Sequence, residues 1–208
     1  MHRPLAALLT LAAAGISASN PAAAHAQKAF EGVVTMRMTD PGSGKSSEMQ
    51  YSARGRKIRL DVVSEQGTMG VIMDVETSKA TMLVPRAQSY MEMDVPSSAE
   101  AEARAKVTRT GRKDRVAGRE CEIITVVDER KNESEICGAT DMGRFVMAGR
   151  GAETPAWARG MENFFPLRVS TKAGAVMEVT KIEPRSLDPS LFAVPAGWRS
   201  MGSMARPK

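Results

Sequence analysis

The chain has 208 residues, of which 42% are hydrophobic and 25% are charged, a composition typical of a globular protein with one core. Aromatic residues make up only 4%, so few side chains are available for the base-stacking surfaces of RNA and single-strand binders, although the formal charge is +5. Composition therefore argues against a nucleic-acid partner. We expect a single domain.

The N-terminus has the three parts of a secretory signal peptide. Arg3 provides a positive start, Leu5 to Ile16 form an apolar stretch, and Ala24-His25-Ala26 places small residues where signal peptidase reads them. This apolar stretch is well short of the ~20 residues needed to cross a bilayer, and no later segment approaches that length. The sequence predicts cleavage after Ala26, no transmembrane span, and a periplasmic protein of residues 27–208.

Cleavage at this point removes both histidines, His2 and His25. Removing Arg3 from the 29 lysine and arginine residues leaves 28 against 24 acidic residues, a formal charge of +4. Histidine is the commonest general base near neutral pH and the commonest metal ligand, so its absence excludes Ser-His-Asp and Cys-His catalysis and histidine-ligated zinc. We therefore expect no catalytic residues, no metal site and no cofactor, and predict a protein that is not an enzyme.

Carboxylates are the remaining groups that could support catalysis, as they do in glycoside hydrolysis. Five of them lie close together in the sequence: Glu120, Glu122, Asp128, Glu133 and Glu135. Nothing in their spacing singles out an acid–base pair, and few aromatic residues are present to form a sugar platform. The sequence gives no basis for a catalytic assignment here.

The two cysteines, Cys121 and Cys137, predict a disulfide, because an even number of cysteines in an oxidising compartment is usually paired. The intervening segment has the pattern of a hairpin: "CEIITVVD" is rich in β-branched residues, "ERKN" is polar, and "ESEIC" returns. Antiparallel pairing would bring the two sulfurs together. A redox-active pair is the alternative, but such pairs are typically closer in sequence.

Short alternating segments predict antiparallel strands through much of the chain. In "FEGVVTMRM", Val34, Met36 and Met38 fall on one face. Further strands are predicted in "EMQYSARGRKIRLDVV", which splits at Arg54-Gly55, and in "GVIMDVE", "KATMLVP" and "SYMEMDV". Their close spacing leaves no room for the helical crossovers of a parallel sheet, so the pattern indicates an antiparallel meander.

Two segments carry helix signals. Ser97 and Glu100 form a capping box beside the helix-forming "AEAEARAKV", and Thr154 caps a second helix that Pro166 ends. Between the first helix and the cysteine hairpin, the basic stretch "RTGRKDRVAGRE" is predicted to form turns.

The C-terminal part of the chain predicts two more strands, "LRVSTK" and "AVMEVTKIE". The segment "LDPSLFAVPAGW" then predicts a short helical turn that directs Leu191 and Phe192 inward. From about residue 199 we expect a loose tail.

Several segments together resemble a known family: "FEGVVTMRM", "VAGRECEIITVVD" with its return "EICGATD", "FFPLRVS" and the ending "LDPSLFAVPAGW". The chain resembles exported bacterial domains of unknown function that are similar in design to the outer-membrane lipoprotein carriers (LolA/LolB-like proteins). The ending is the most specific of these segments, and the matches spread over almost all of the mature chain.

This resemblance implies a mainly β (α+β) fold, with a curved antiparallel sheet or unclosed barrel and one or two short helices across its concave side. It assigns residues 27–208 to a single LolA-like domain. In the relatives with known roles the concavity receives acyl chains or a partner protein, and no catalytic residues belong to the pattern. Fold alone does not fix activity.

Methionine is the compositional oddity, with 15 in the chain. Unbranched thioethers adapt to varied apolar guests, so methionines on strand faces can line a deformable pocket, but they can equally fill a core that has few aromatics. The predicted cavity-lining residues are Met36, Met38, Ile58, Leu60, Met73, Met82, Met91, Met93, Trp157 and Phe165. On this interpretation the protein is a non-enzymatic carrier or binding domain for a lipid, acyl chain or lipoprotein.

Three further interpretations stay open. The domain could be a cell-envelope protein-interaction or sensing module with a protein partner. Met36-Met38 and Met91-Met93 could be soft-donor pairs for copper(I), although spacing two is also what any half-buried strand produces. Two basic clusters could contact anionic lipid head groups or form solvated faces: Arg54, Arg56, Lys57 and Arg59, and then Arg109, Arg112, Lys113, Arg115 and Arg119.

Overall fold

A computed structural model describes residues 30–64, 67–77, 79–94, 105–128, 130–143, 145–146, 157–158 and 164–204. These residues form one open, curved sheet of twelve strands, which confirms the predicted mainly β fold. The predicted signal peptide, residues 1–26, lies outside the described residues.

Ten of the twelve described strands follow segments that the sequence predicted as strands. Their bounds are β1 Gly32–Thr39, β2 Ser46–Arg54, β3 Lys57–Ser64, β4 Gly67–Asp74, β5 Lys79–Val84, β6 Ser89–Asp94, β7 Ala105–Val116, β8 Arg119–Asp128, β9 Glu133–Ala139, β10 Phe165–Thr171, β11 Gly174–Pro184 and β12 Arg199–Met204. The predicted break at Arg54-Gly55 is the β2–β3 turn, where Gly55 has a φ of 58° that glycine adopts without steric cost.

The sheet consists of two meanders joined along their first and last strands. Its order is β12-β6-β5-β4-β3-β2-β1-β11-β10-β9-β8-β7, so β1 pairs with β11 at the junction. All pairs among the described strands are antiparallel except β12 with β6. The edges of this sheet are therefore β12 and β7.

The basic stretch predicted to form turns is instead most of β7. Strand β8 pairs with β9 along one edge, and the segment Ala105–Val116 pairs with the other edge of β8. The register shifts between Arg109 and Lys113, and Gly111 lies there with a φ of 71°, so the turn-forming glycine makes a bulge within the strand. Most of the first predicted helix, residues 97–104, lies outside the described residues, and its final residues begin β7.

The second predicted helix does not include its last expected residues, Phe165 and Pro166. Most of it lies outside the described residues, but Phe165 and Pro166 belong to β10. Pro166 lies beside a register irregularity, opposite Gly138 on β9. Proline has no N–H to donate, and such irregular positions are where a sheet tolerates it.

The C-terminal segment covers the second face of the sheet. Asp188 accepts a 2.8 Å hydrogen bond from the backbone N–H of Ser190 and so caps the 3-10 turn Pro189–Phe192. Leu187 and Phe192 are buried in a small core with Val33, Ile72 and Leu83.

Two details of the predicted C-terminal segment are wrong. Phe192 points inward as predicted, but Leu191 is 38% exposed and the second inward residue is Leu187. Residues 199–204 are not loose: they pair with β6 as the parallel strand β12. This strand carries no strong alternation, and a long-range edge supplies its partner.

The main core lies on the opposite face from the C-terminal turn. Tyr51 on β2 and Phe165 on β10 are separated by two strands, about 14 Å across a flat sheet, yet their ring centroids are 5.1 Å apart. The sheet curves around these side chains, so we call this the concave face.

The predicted disulfide is present in the β8–β9 hairpin. Cys121 and Cys137 are bonded, with their Cα atoms 5.3 Å apart. The register pairs Cys137 with Ile123, so the bond is a diagonal one between neighbouring strands. Both cysteines are buried in the main core, which favours the structural role over a redox-active one.

Candidate ligand-binding face

The successive strand pairs from β1 to β6 align most of the predicted cavity residues in rows across the concave face. One row runs Val34, Tyr51, Leu60, Val71, Met82, Met91, and a second runs Ala53, Ile58, Met73, Ala80, Met93. A third runs Met36, Met49, Val62, Met69. Directly opposite residues in a sheet share a face. The strands β1 to β6, which were predicted as separate segments, therefore contribute to one continuous surface.

Exposure rises along the first and third rows from β1 towards β6, whereas the second row stays buried from Ala53 to Ala80 and is half-buried only at Met93. In the third row the exposed fraction is 0% for Met36 and 3% for Met49, then 37% for Val62 and 52% for Met69. The first row likewise goes from fully buried Val34 to half-buried Met91. The concave face is therefore closed at its β1–β2 end, and its accessible side chains lie in the first and third rows from β3 to β6 and at Met93.

The predicted cavity residues divide accordingly. Six are buried members of the main core: Met36, Ile58, Leu60, Met73, Trp157 and Phe165. Met38 and Met93 pack against its margin, and Met82 and Met91 are half-buried outside it. The wall that we expected to be hollow is thus occupied by the protein's own side chains over its central part.

An aromatic cluster fills that central part. Tyr51 stacks on Phe145 at 5.3 Å between ring centroids, and Phe145 stacks on Trp157 at 6.2 Å. Phe165 meets both Tyr51 and Phe145 edge to face. Such pairs add about 0.5–1.5 kcal/mol each beyond the area they bury. Because these rings fill the centre of the concave face, any side chains that contact a ligand have to lie elsewhere on that face.

We call the accessible part of the concave face the methionine surface, and define it by Val62, Met69, Val71, Met82, Met91 and Met93. Our sequence analysis missed Val62, Met69 and Val71. The signal was available, because these residues alternate in phase with Leu60 and Met73, but the strand register decides which of them are exposed.

A single guanidinium lies at the edge of the methionine surface. A Cβ built on Gly67, which shares a face with Met69, would lie 3.2 Å from Nε of Arg86. Arg86 is exposed on the 3-10 turn Pro85–Ala87 and makes no ion pair with another described residue. The sequence analysis missed Arg86 because the residue stands apart from the basic clusters.

The first basic cluster is neutralised by neighbouring carboxylates. Arg59 makes a two-pronged contact with Asp61, at 2.7 and 2.8 Å, and Arg56 and Lys57 both approach Asp74 at 3.7 Å. Arg54 approaches Glu31 at 3.5 Å. These pairs favour a solvated, charge-balanced surface over a site for anionic head groups.

The second basic cluster forms ion pairs across β7 to β10. Arg112 bonds Glu135 at 2.5 Å, and Arg168 bonds Asp114 at 2.5 Å. Further pairs join Arg109 to Glu122, Arg115 to Glu120 and Arg119 to Asp141.

Three of the five neighbouring carboxylates are therefore ion-pair partners. The Arg109 guanidinium holds the pKa of Glu122 below its usual range, chiefly by hydrogen bonding. Hydrogen bonds from Asn132 likewise lower the pKa of Asp128. A general acid needs a raised pKa, so both shifts run against that role.

The described part of the chain contains no cluster of the side chains that usually bind hard or borderline metal ions. No group of three or more His, Cys, Asp or Glu residues there is arranged to hold an ion. The described residues also contain no helix long and apolar enough to cross a membrane.

Comparison with solved structures supports the fold. The crystal structure of an uncharacterised conserved protein from Thermus thermophilus matches with a TM-score of 0.52 and 9% identity, over 82% of this chain and 88% of that one. The structure of PNGF-II in space group C2 matches with a TM-score of 0.53 and 12% identity, over 82% of this chain and 30% of that one. At these identities the likeness concerns architecture only.

Sequence comparison places the chain in a family without an assigned activity. No curated protein matches the sequence. A family model does match, over residues 30–198, and its description is a domain of unknown function. The chain belongs to that family, DUF4412.

Proposed function

We propose that this protein is a non-enzymatic binding or carrier domain for an anionic amphiphile, with one acyl chain lying along the methionine surface. The observation that carries the proposal is the exposure gradient, which leaves contiguous apolar side chains accessible on one end of an otherwise packed face. Exposed apolar surface of this kind is typical of interaction sites.

The chemistry of the surface favours a flexible apolar guest. Its thioethers are unbranched and have three rotatable bonds, so they can follow a chain of varied length or unsaturation. The resemblance to the outer-membrane lipoprotein carriers supports the same class of ligand, a lipid, acyl chain or lipoprotein, and export to the periplasm would place the protein where such ligands occur.

Arg86 supports an anionic head group at one end of the chain. Its guanidinium lies over the same face as Met69 and has no acidic partner among the described residues. Guanidinium groups bind carboxylates and phosphates through two parallel hydrogen bonds. The paired arginines of the two basic clusters lack this free capacity.

A titration with the fluorescent fatty acid cis-parinaric acid tests the proposal. We expect saturable binding by the wild type. Met69→Glu should weaken it by about tenfold or more, because a carboxylate buried under an acyl chain costs more than the about 1.4 kcal/mol that tenfold represents. Val107→Glu is the matched control. Val107 is 39% exposed on the edge strand β7, eight positions from β4 in the strand order, so this variant should bind as the wild type does.

The head-group part has its own comparison. Arg86→Gln should weaken binding of the fatty acid but not of the corresponding fatty alcohol, while Arg112→Gln, which removes an already paired guanidinium, should affect neither. Absence of saturable binding by the wild type, or equal affinity in Met69→Glu, contradicts the proposal.

An envelope protein-interaction module is the second candidate. The observation in its favour is β7, a twelve-residue strand at an edge of the described sheet with exposed side chains from Lys106 to Arg115. Sheet edges accept partner strands. Photocrosslinking from position 108 in the intact envelope should trap one defined partner if this function is the correct one.

A further inference from the structure

Strand pairing brings a third thioether, that of Met82, next to the sequence pair Met91-Met93. Met82 on β5 lies directly opposite Met91 on β6, and Met93 follows Met91 two residues later on the same face. All three side chains are half-buried. The three thioethers therefore form a triangle in which each side chain is partly accessible to solvent.

The dimensions of this triangle suit a small ion. Directly opposite residues have Cβ atoms about 4.5–5.5 Å apart, and the diagonal from Met82 to Met93 is about 7–8 Å. Each Sδ atom lies two bonds beyond its Cβ on a flexible chain, so three sulfurs can converge on one point above the sheet. Ala80, a buried residue of the main core, lies opposite Met93, so the triangle borders the packed part of the concave face.

From this arrangement we infer a copper(I) site whose ligands are the thioethers of Met82, Met91 and Met93. Soft thioether donors select copper(I) over zinc and hard cations. The described residues contain no group of three or more His, Cys, Asp or Glu residues that could hold a metal ion.

The sequence pattern had suggested other pairs. Met36 is fully buried in the main core, so the pair Met36-Met38 is poorly placed to receive an ion. Met91-Met93 is retained, and the structure adds Met82 from the neighbouring strand. Three ligands from two strands can enclose an ion in a way that two from one strand cannot.

Competition with the copper(I) chelator bicinchoninate, under anaerobic reducing conditions, measures the site. The wild type should withdraw one copper(I) per chain. The triple variant Met82→Leu, Met91→Leu, Met93→Leu should lose at least about tenfold in affinity, and Met38→Leu, a half-buried methionine on β1, should not. Methionine-to-leucine changes nearly conserve volume and cost less than about 1.5 kcal/mol each, and circular dichroism checks that the variants are folded.

Two results would overturn the inference: a wild type that withdraws no copper from the chelator, or a folded triple variant with unchanged affinity. The inference does not rest on acyl binding. The copper(I) competition contains no fatty acid and the cis-parinaric acid titration contains no copper, so the metal site and the proposed lipid function fail or stand separately.

Discussion

The disulfide between Cys121 and Cys137 allows a stability prediction with a worked magnitude. The double variant Cys121→Ala, Cys137→Ala removes a bond that spans a sequence separation of 16 residues. For a loop of this size, the chain-entropy account gives a loss of about 3 kcal/mol in the free energy of unfolding at 25 °C. Both cysteines lie in the main core, so the loss of two buried sulfur atoms should add somewhat to that cost.

Urea unfolding followed by circular dichroism provides the assay, with oxidised wild type, chemically reduced wild type and the double variant compared at one pH. We expect the oxidised protein to be more stable than the reduced wild type by about 3 kcal/mol. The double variant should be slightly less stable than the reduced wild type, because it also lacks the two buried sulfur atoms. The β8–β9 register continues on both sides of the bond, so the reduced forms should fold. Equal free energies of unfolding for the oxidised protein and the double variant would refute the reasoning.

Three other predictions concern packing and charge. Phe192→Ala should lower the free energy of unfolding by about 3–5 kcal/mol, because the ring is buried against the second face. Leu191→Ala should lower it far less, because that side chain is 38% exposed. Thermal unfolding of the two variants compares them. Gly138→Ala should destabilise by about 1–3 kcal/mol, since its Cβ would lie 2.9 Å from a methyl of Ile124, and a urea midpoint equal to that of wild type would contradict this contact. The hydrogen bond with Arg109 lowers the folded-state pKa of Glu122. The ionised Glu122 therefore contributes to the free energy of unfolding above the ordinary carboxyl pKa, and this contribution is lost as pH falls below about 4. Glu122→Gln should therefore show a smaller acid-induced drop in urea midpoint than wild type, and an identical drop would count against the ion pair.

Local pattern was enough to predict ten of the strands, because each alternates strongly enough to specify a buried face. The two strands that sequence reasoning missed lack this signal. Half of the residues of β7 are charged and the strand contains Gly111, so its sequence alone favours turns. Pairing with β8 supplies the hydrogen bonds that make it a strand. Similarly, β12 exists because β6 offers an edge to the end of the chain.

The candidate site was predicted less completely, and for a related reason. Alternation placed Met82 and Met91 on strand faces, but only the register shows that they are opposite each other. Sequence also gives no measure of how far the core extends, so Met36 and Phe165 could not be separated from accessible residues such as Met69. Arg86 enters the site through a turn that folds back to Gly67, a contact with no local signal.

The most direct test of the acyl-binding proposal is photolabelling with a fatty acid that carries a diazirine in its chain, followed by peptide mapping of the crosslinks by mass spectrometry. The account predicts that labels concentrate on β4 to β6, at Met69, Met82 and Met91, and that excess unlabelled fatty acid suppresses them. Labels that fall on β7 to β10, or labelling that excess fatty acid does not reduce, would contradict it.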